Sequence, residues 1–413
     1  MQTSEAQNKT RKAYIATRVL DTPFWAIYNM IPFILYKDLH ASPWQLAFVI
    51  ALKPIVSLLS TYLNSALKTK RSELPHHIVS ARIISYLPFL FIPWIHSTWY
   101  LIFAFGFYMM VAVGLVPSWM ELLKLNVPVT ARERLFSYTQ AFGYIGGGLL
   151  PFVFGWLLDS YFEAWRWLFP LTALTALLAS LFQKQMLVPS DAAEAAPNTS
   201  KTSKVVEPWK EAWALLKRRK DFAQFQMGFM MIGTALMIMQ PALPIYFVDH
   251  LHLSYMEMSV ALTFCKGLGF AAATPFFSKW MHKMGIFSLT SLVALFGLLF
   301  PFCLLAASFN LFWLYAGYVI YGVMQSGNEL IWNMSGPYFA RQENSSDYTN
   351  INVISTGIRG AFVPAVGGFL AATVGLPMVM GVSALLCLSA TLSLRWFAKQ
   401  NASLETPELS SQN

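Results

Sequence analysis

Residues 184–220, KQMLVPSDAAEAAPNTSKTSKVVEPWKEAWALLKRRK, divide the chain into two parts. They form the one long interior stretch of the sequence without an apolar run of bilayer length. On each side lie about 180 to 190 residues that are largely hydrophobic. The pattern predicts two membrane-embedded halves joined by a basic linker.

The composition favours a protein dissolved in lipid. Of the 413 residues, 56% are hydrophobic and 12% are charged, whereas about a quarter of the residues in a soluble domain are charged. So much apolar surface exceeds what one aqueous core can bury. The three cysteines lie within apolar runs, which indicates small packing residues rather than disulfides or a metal cluster.

Twelve windows of bilayer length predict an all-α membrane protein with two pseudo-symmetric six-helix bundles. The domains expected are an N-terminal tail (1–13), a first bundle (14–183), the linker (184–220), a second bundle (221–399) and a disordered tail (400–413). The windows are 14–36, 43–66, 76–96, 98–123, 134–159, 163–183, 221–248, 254–278, 285–307, 309–335, 346–371 and 374–397.

The basic residues predict the orientation. With an even number of spans, both termini and the linker share one side, and nearly all the loop lysines and arginines lie there. The opposite loops carry only Lys37 and Arg166. This asymmetry predicts a protein of the bacterial inner membrane with both termini on the cytoplasmic side. It also accounts for the net charge of +9 without a nucleic-acid partner, and we expect a monomer in the lipid bilayer.

The linker has two parts. Residues 189–206 are rich in Ser, Ala, Thr, Asn and Pro, which predicts a flexible segment. In residues 207–220, Trp209, Trp213 and Leu216 recur at helical spacing. This pattern predicts an amphipathic helix on the inner membrane surface, although a solvated connector remains an alternative.

The two halves repeat each other. Displaced by 213 residues, Pro151 matches Pro364, and Lys53 matches Lys266. The same offset aligns Gly114 with Gly327, Gly155 with Gly368, and Trp119 with Trp332. Parallel six-helix repeats of this kind bind their substrates near the middle of the membrane, at the repeat interface.

Twelve spans, a duplication and a basic central loop together resemble the major facilitator superfamily over essentially the whole chain. Some motifs depart from the family pattern. The loop between spans two and three, NSALKTKRSELPHH, keeps basic residues but lacks the usual aspartate and glycines, and so does FSKWMHKMG in the second half, except for Gly285. Span five has Gly146, Pro151 and Gly155 where proton-coupled antiporters carry a glycine–proline motif. The subfamily therefore stays open.

Three cations deep within the predicted spans are the candidate substrate-binding residues. An ionisable group at mid-membrane costs roughly 2.5 to 3.5 kcal/mol, so it is a functional candidate by default. Lys53, Lys266 and Arg359 fall near the middle of spans two, eight and eleven. The resemblance implies a comparison with nitrate porters, which use basic residues on spans two and eight, and with oxalate–formate exchangers, which use spans eight and eleven. A structural ion pair or a snorkelling side chain is the alternative for the lysines, and a salt bridge to Glu329 is the alternative for Arg359.

The deep carboxylates are fewer. Asp21 and Glu329 are the candidates for proton coupling, since burial favours their protonation and a neighbouring cation opposes it. Arg18 lies three residues before Asp21, which favours a local ion pair. Arg82 and Glu121 are expected to be packing or gate residues towards the inner surface.

Polar and aromatic residues on the same spans are expected to shape the pocket: Tyr28, Gln240, Asn328 and Trp332. No phosphate-binding loop, metal-ligand cluster or catalytic triad occurs in the sequence. We therefore expect no enzyme activity and no cofactor.

The excess of buried positive charge predicts a secondary transporter of a small organic or inorganic anion, working by alternating access with a proton or a counter-anion as the coupling partner. A proton-coupled exporter of amphipathic or cationic compounds, using Asp21 and Glu329, is the first alternative. The second is a receptor or scaffold that has kept the fold and lost transport.

Overall fold

The computed structural model describes residues 2–66, 73–188, 207–340 and 345–401, and within these ranges every regular element is a helix. The first half contains α1 (Gln2–Tyr28), α2 (Ile31–Lys37), α3 (Pro43–Ala66), α4 (Leu74–Leu90), α5 (Thr98–Asn126), α6 (Val129–Ser160) and α7 (Trp165–Gln183). The remainder contains α8 (Glu207–Arg218), α9 (Lys220–Met239), α10 (Ala242–Ile245), α11 (Tyr255–Ser259), α12 (Lys266–Ala306), α13 (Phe312–Ala340), α14 (Ser345–Thr373) and α15 (Leu376–Gln400).

Each of the twelve predicted windows coincides with a helix or with consecutive helical segments. Two predicted spans appear as the single element α12, but Gly285 interrupts it with φ 74° and ψ 166°. Only glycine adopts such a conformation readily, so the chain turns here between residues 266–284 and 286–306. Among the described residues, eight helices are long and apolar enough to cross a membrane.

Helix α7 illustrates why the protein needs lipid around it. Its leucines at 171, 174, 178 and 181 are exposed and follow helical spacing. Its opposite face buries small residues, among them Ala173, Ala176 and Ala179, and contacts α1. A helix with large apolar groups outside and small ones inside is packed for a membrane, because small residues let neighbouring helices approach closely.

The described chain forms two compact units. The first comprises Met1–Ala41, Ile55–Ser203 and Ser254–Met256, and the second comprises Ser42–Pro54, Lys204–Leu253 and Glu257–Asn413. The second unit therefore includes the start of α3, which belongs to the first half of the sequence. The reason is close packing on α14, where Gly360 lies against Pro54 and Gly368 against Ala47.

Aromatic rings fill the core of the first unit. Phe24 on α1 packs edge-on against Tyr86 and Phe89 of α4, with ring centroids 4.7 and 4.8 Å away. Tyr108 of α5 joins the same group, 4.9 Å from Phe24. These contacts hold α1, α4 and α5 together around the charged residues described below.

Phenylalanines dominate the core of the second unit. Phe222, Phe225 and Phe229 of α9 are buried in a cluster that includes Phe339 of α13 and Tyr348 of α14. The linker helix α8 packs on this cluster through Leu215. The predicted flexible segment 189–206 lies outside the described residues, and so do residues 402–413 of the predicted disordered tail (400–413). Gln400, the first residue of that tail, is instead the last residue of α15.

Candidate functional site

The first unit contains a cavity of about 200 Å³ between α1, α4 and α5. Its walls combine aromatic rings with charged and hydroxyl groups: Tyr14, Thr17, Arg18, Asp21, Trp25, Arg82, Ser85, Tyr86, Tyr108, Ala112, Leu115 and Trp119. Cavities that hold drug-sized ligands measure roughly 300–1,000 Å³. This one suits a smaller group, such as one ring or a short acid.

An ion pair between Asp21 and Arg82 forms the polar centre of this cavity. The Arg82 side chain is 7% exposed and that of Asp21 is 13% exposed. Arg82 donates from Nη2 to Asp21 Oδ1 and from Nη1 to Oδ2, the latter at 3.2 Å. Its Nε also donates to the Ala176 carbonyl of α7 at 3.1 Å. The guanidinium therefore fixes the carboxylate and ties three helices together.

Two tyrosines extend the ion pair into a polar chain. The Tyr86 hydroxyl donates to Asp21 Oδ1 at 3.1 Å and lies 3.3 Å from the Tyr108 hydroxyl. The Asp21 carboxylate and the hydroxyls of Tyr86 and Tyr108 thus form a continuous hydrogen-bonded chain. Sequence patterns did not single out Tyr86 or Tyr108, since aromatic residues within a span usually serve packing.

Arg18 does not form the local pair with Asp21 that their spacing predicts. Its Nη2 donates to the Tyr14 hydroxyl at 3.3 Å, and its guanidinium lies 5.5 Å from the centre of the Tyr14 ring. Arg18 itself is exposed. The prediction of a local pair is wrong because Arg82, 61 residues further along the chain, approaches Asp21 from α4.

Tyr28 is a core residue and not a wall of the cavity. It is 1% exposed, its hydroxyl donates to the Phe105 carbonyl at 2.9 Å, and its ring stacks on Phe105 at 4.6 Å. With both its ring and its hydroxyl engaged by α5, Tyr28 has a packing role, and the predicted substrate contact is not supported.

The second unit contains two of the predicted lysines, Lys53 in the first part of α3 and Lys266 at the start of α12. Lys53 is exposed. Lys266 is half-buried, and we find no hydrogen bond or ion pair of its side chain in the described ranges. Gly322 of α13 lies directly against the Lys266 carbonyl, so a larger residue at 322 would displace the backbone that carries Lys266.

Arg359 also lies in the second unit, with its guanidinium against Gly233 of α9. Its Nη1 donates to the Met230 carbonyl at 3.4 Å and contacts the Met230 sulfur at 3.5 Å. Its Nε is buried without a hydrogen-bond partner. No ion pair joins it to Glu329 within the described chain, so the alternative of a salt bridge between them is wrong.

The other predicted site residues are less informative. Glu329 is exposed, and its carbonyl accepts a hydrogen bond from Asn333. Trp332 packs on the phenylalanine cluster, with its ring 6.2 Å from Phe229. Gln240 follows α9 as its C-cap, and Asn328 is half-buried on α13. The side chain of Glu121 lies outside the described part of the structure.

A second polar cluster of the first unit escaped the sequence analysis. Asp159, near the end of α6, accepts hydrogen bonds from the backbone N–H groups of Tyr255 and Met256, both at 2.8 Å. The Lys37 ammonium lies 3.7 Å from Asp159 Oδ1 and 4.3 Å from the centre of the Tyr255 ring. Asp159 thus caps the start of α11 through a tertiary contact.

Asp38 belongs to the same cluster, in the loop before α3. Burial raises the pKa of its carboxyl, while the Tyr255 hydroxyl and the charge of Lys37 oppose that rise. An acid at the end of α6 together with a Ser-Tyr-Met-Glu helix start was the available signal for this cluster. Which helix start would meet which acid cannot be read from sequence.

One family model matches the sequence, that of the Major Facilitator Superfamily, over residues 14–358. This range includes most of both predicted bundles. No match to this sequence was found among the curated proteins.

Solved structures with the same fold extend over nearly the whole chain. A mutant of the nucleoside transporter NupG is 14% identical, with a TM-score of 0.69, covering 94% of this chain and 99% of its own. The peptide transporter POT in complex with sulfate is 12% identical, with a TM-score of 0.70, covering 96% and 95%. A bacterial homologue of the human lysosomal transporter Spinster, inward-facing and unoccupied, is 11% identical, with a TM-score of 0.60, covering 97% and 96%. At these identities, the likeness concerns the fold alone.

Proposed function

The chain belongs to the major facilitator superfamily of membrane transporters, and from that premise we propose that it moves a small organic or inorganic anion by alternating access. Parallel six-helix repeats in such transporters bind substrate near mid-membrane. The twelve predicted windows and the 213-residue repeat fit that arrangement.

Lys266 carries the proposal, because its side chain is half-buried and makes no hydrogen bond or ion pair in the described ranges. A half-buried ammonium group without a partner is unfavourable in low-dielectric surroundings, and an anion that reaches it relieves that cost. Lysine offers a compact charge with three donors rather than a planar fork. Lys266 therefore suits a carboxylate or phosphate that is bound and then released, rather than one held in a single fixed geometry.

Arg359 supports the same substrate class. Its neighbours are a carbonyl and a thioether, both neutral, and its Nε has no hydrogen-bond partner. A half-buried guanidinium whose Nε–H has no partner has donor capacity left for an anion. Arg359 and the two lysines are thus the proposed substrate-binding residues.

The distribution of charge supports an inner-membrane location with cytoplasmic termini. Lysine and arginine cluster on the side of the termini and the linker, and a single chain with both six-helix repeats needs no partner subunit to complete the path. We therefore propose a monomer in a bacterial inner membrane.

Coupling is proposed to occur through Asp21. Its ion pair with Arg82 and its contact with Tyr86 give the carboxylate two partners that stabilise its charged form. We propose that this network breaks and re-forms during the transport cycle and that a proton is the coupling ion. If Asp21 keeps its charge throughout, exchange of one anion for another is the simpler mechanism.

A second function is favoured by the cavity around Asp21. The aromatic walls of this cavity also suit an amphipathic cation, through ring stacking and cation–π contact. Proton-driven export of such compounds is therefore the competing proposal, and it assigns no role to Lys266.

Proteoliposomes containing the purified protein test the two proposals. We expect saturable uptake of labelled carboxylates or phosphate esters that Lys266→Ala abolishes and Lys266→Arg partly restores. Lys399→Ala, at an exposed position near the end of α15, is the matched control and should leave uptake unchanged. Export of cationic dyes that is insensitive to Lys266→Ala would favour the second function. Absence of flux for every solute, with a tightly bound protein recovered in pull-downs, would point to a receptor or scaffold.

A further inference from the structure

The linker helix α8 meets the spanning helix α9 at a sharp turn. Helix α8 ends at Arg218 and α9 begins at Lys220, so Arg219 alone separates them. Arg219 has φ −106° and ψ 84°, outside the helical region. The two helices therefore do not form one straight rod. Since α9 is a candidate membrane span, the C-terminal end of α8 lies at the edge of the apolar layer.

Side-chain hydrogen bonds fix this turn. Arg219 donates from Nε and Nη2 to the two carboxylate oxygens of Asp221, at 3.0 and 2.9 Å. Its Nη1 donates to the Tyr348 hydroxyl at 2.9 Å, and Tyr348 is 1% exposed in the core. A bidentate pair together with a buried third contact sets the direction in which α8 leaves the bundle.

One face of α8 packs on the bundle. Leu215 is 9% exposed within the phenylalanine cluster, and Ala212 and Leu216 pack against the same cluster. These residues recur at spacings of three and four, as an apolar helix face does. Leu216 therefore belongs to the packed face, whereas the two tryptophans predicted to share its surface do not.

The adjacent face carries tryptophan and lysine. Trp213 is 63% exposed and Trp209 is 37% exposed, and Lys210 and Lys217 are exposed as well. At 100° per residue, these four positions fall within a sector of roughly 100°. The Lys217 ammonium lies 5.3 Å from the centre of the Trp213 ring. We call these four residues the Trp–Lys face.

We propose that the Trp–Lys face binds the anionic headgroups of the surrounding bilayer. Indole rings prefer the boundary between headgroups and acyl chains, and lysines at that level are attracted to anionic lipids. An interfacial helix combines these two features with an apolar face. The direct connection of α8 to a span favours lipid over a soluble protein partner, because it keeps the face at the level of the headgroups.

Site-specific fluorescent labels on the full-length protein test this proposal. The three native cysteines are buried, so a single introduced cysteine can be labelled selectively. Trp209→Cys reports from the Trp–Lys face and leaves Trp213 in place, whereas Ala214→Cys lies on an exposed position outside it. Each labelled protein is placed in nanodiscs of phosphatidylcholine alone or mixed with phosphatidylglycerol, with a headgroup nitroxide lipid as quencher.

We expect strong quenching of the label at 209 in the anionic nanodiscs and weak quenching of the label at 214. Replacing Lys210 and Lys217 by glutamine should reduce the ratio of surface-bound to free label about fivefold for each lysine. Salt at 1 M should reduce it too, because the screening length falls to about 3 Å. Native mass spectrometry of the unlabelled protein should show preferential retention of phosphatidylglycerol, and the double glutamine variant should lose that preference.

Two results would overturn the proposal. Equal, weak quenching at 209 and 214 in every lipid would make α8 a solvated connector or the docking site of another protein. Equal, strong quenching at 209 in neutral and anionic lipid would remove the role of the lysines and of headgroup charge. Neither result depends on whether the protein transports an anion.

Discussion

Two arginines, one in each unit, have opposite surroundings. In the first unit, Arg82 meets Asp21 in a bidentate pair, so the charges cancel. In the second, the half-buried Arg359 contacts the neutral carbonyl and sulfur of Met230. One arginine thus belongs to a neutral polar network, and the other has no ion pair among the described residues.

This difference separates stability from substrate binding. A buried pair that is complete, with additional hydrogen bonds to backbone and tyrosine, resists disruption because removing one partner strands the other. A cation that contacts neutral groups, as Arg359 does, keeps its field available for a mobile anion. Substitutions in the first unit should therefore affect folding most, and those in the second should affect affinity most.

Arg82→Ala gives the largest expected effect. It leaves the Asp21 carboxylate buried without its main partner, and breaking one side of a buried pair costs about 3–5 kcal/mol. The measurement is thermal or denaturant unfolding of the purified protein in detergent. Arg18→Ala, which removes an exposed arginine bonded to Tyr14, is the control and should change stability by less than about 0.5 kcal/mol. Equal losses in both variants would show that the pair is not what stabilises the unit.

Gly233→Ala tests the second unit without removing any charge. A β-carbon at 233 would overlap the Arg359 guanidinium, so the side chain must move, at a cost of about 1–3 kcal/mol in stability. We expect a raised KM for the anion and a smaller change in kcat, measured by uptake into proteoliposomes. Gly381→Ala in α15 is the control, because a β-carbon there meets no atom within 4 Å. An unchanged KM with lowered stability would remove Arg359 from the substrate site.

Asp159→Asn should have a smaller effect, because it keeps one carbonyl oxygen for the two N–H groups of Tyr255 and Met256. It also removes the charge that attracts Lys37. Loss of a cap costs about 1 kcal/mol, which unfolding experiments can resolve. Glu211→Gln, at an exposed position on α8, provides the control. A neutral Asp159→Asn would mean that α11 begins without help from α6.

Asp38→Asn should give the smallest effect, and one that depends on pH. Because burial raises the pKa of this carboxyl in the folded protein, its ionisation opposes folding, and that penalty grows as pH rises from its ordinary value near 3.8 through the raised value. We therefore expect the Asp38→Asn variant to have a slightly higher melting temperature than the parent protein at pH 8, and the gain to vanish below about pH 4. A gain that is constant across this range would argue against titration of Asp38.

Sequence reasoning was sufficient wherever the determining pattern is local. Apolar windows located the helices because membrane length and hydropathy are properties of contiguous residues. The helix of the linker also follows from short-range periodicity, since Trp209, Trp213 and Leu216 recur at helical spacing. The 213-residue repeat predicts matching places for Lys53 and Lys266 in the two halves, and this stays a prediction.

Contacts between distant elements were the part that sequence could not supply. The three-residue spacing predicts that Asp21 pairs with Arg18, whereas Arg82 reaches Asp21 from another helix. The spacing of Trp209, Trp213 and Leu216 predicts that they share one surface of α8. In the structure, Leu216 packs on the bundle beside Leu215, and the tryptophans lie on the adjacent face. A helical wheel ranks faces by composition and has no information on which neighbour each face meets.

The wide helical turn at Val260–Cys265 comes immediately before Lys266. A π-type turn contains one residue more than an α-helical turn at the same point, and such insertions recur at functional positions. Removing one residue from this turn would rotate everything that follows by about 100°. The direction of the Lys266 side chain thus depends on the number of residues in the turn before it. A family member with a lysine at the aligned position but a regular α-helix there would direct its charge elsewhere.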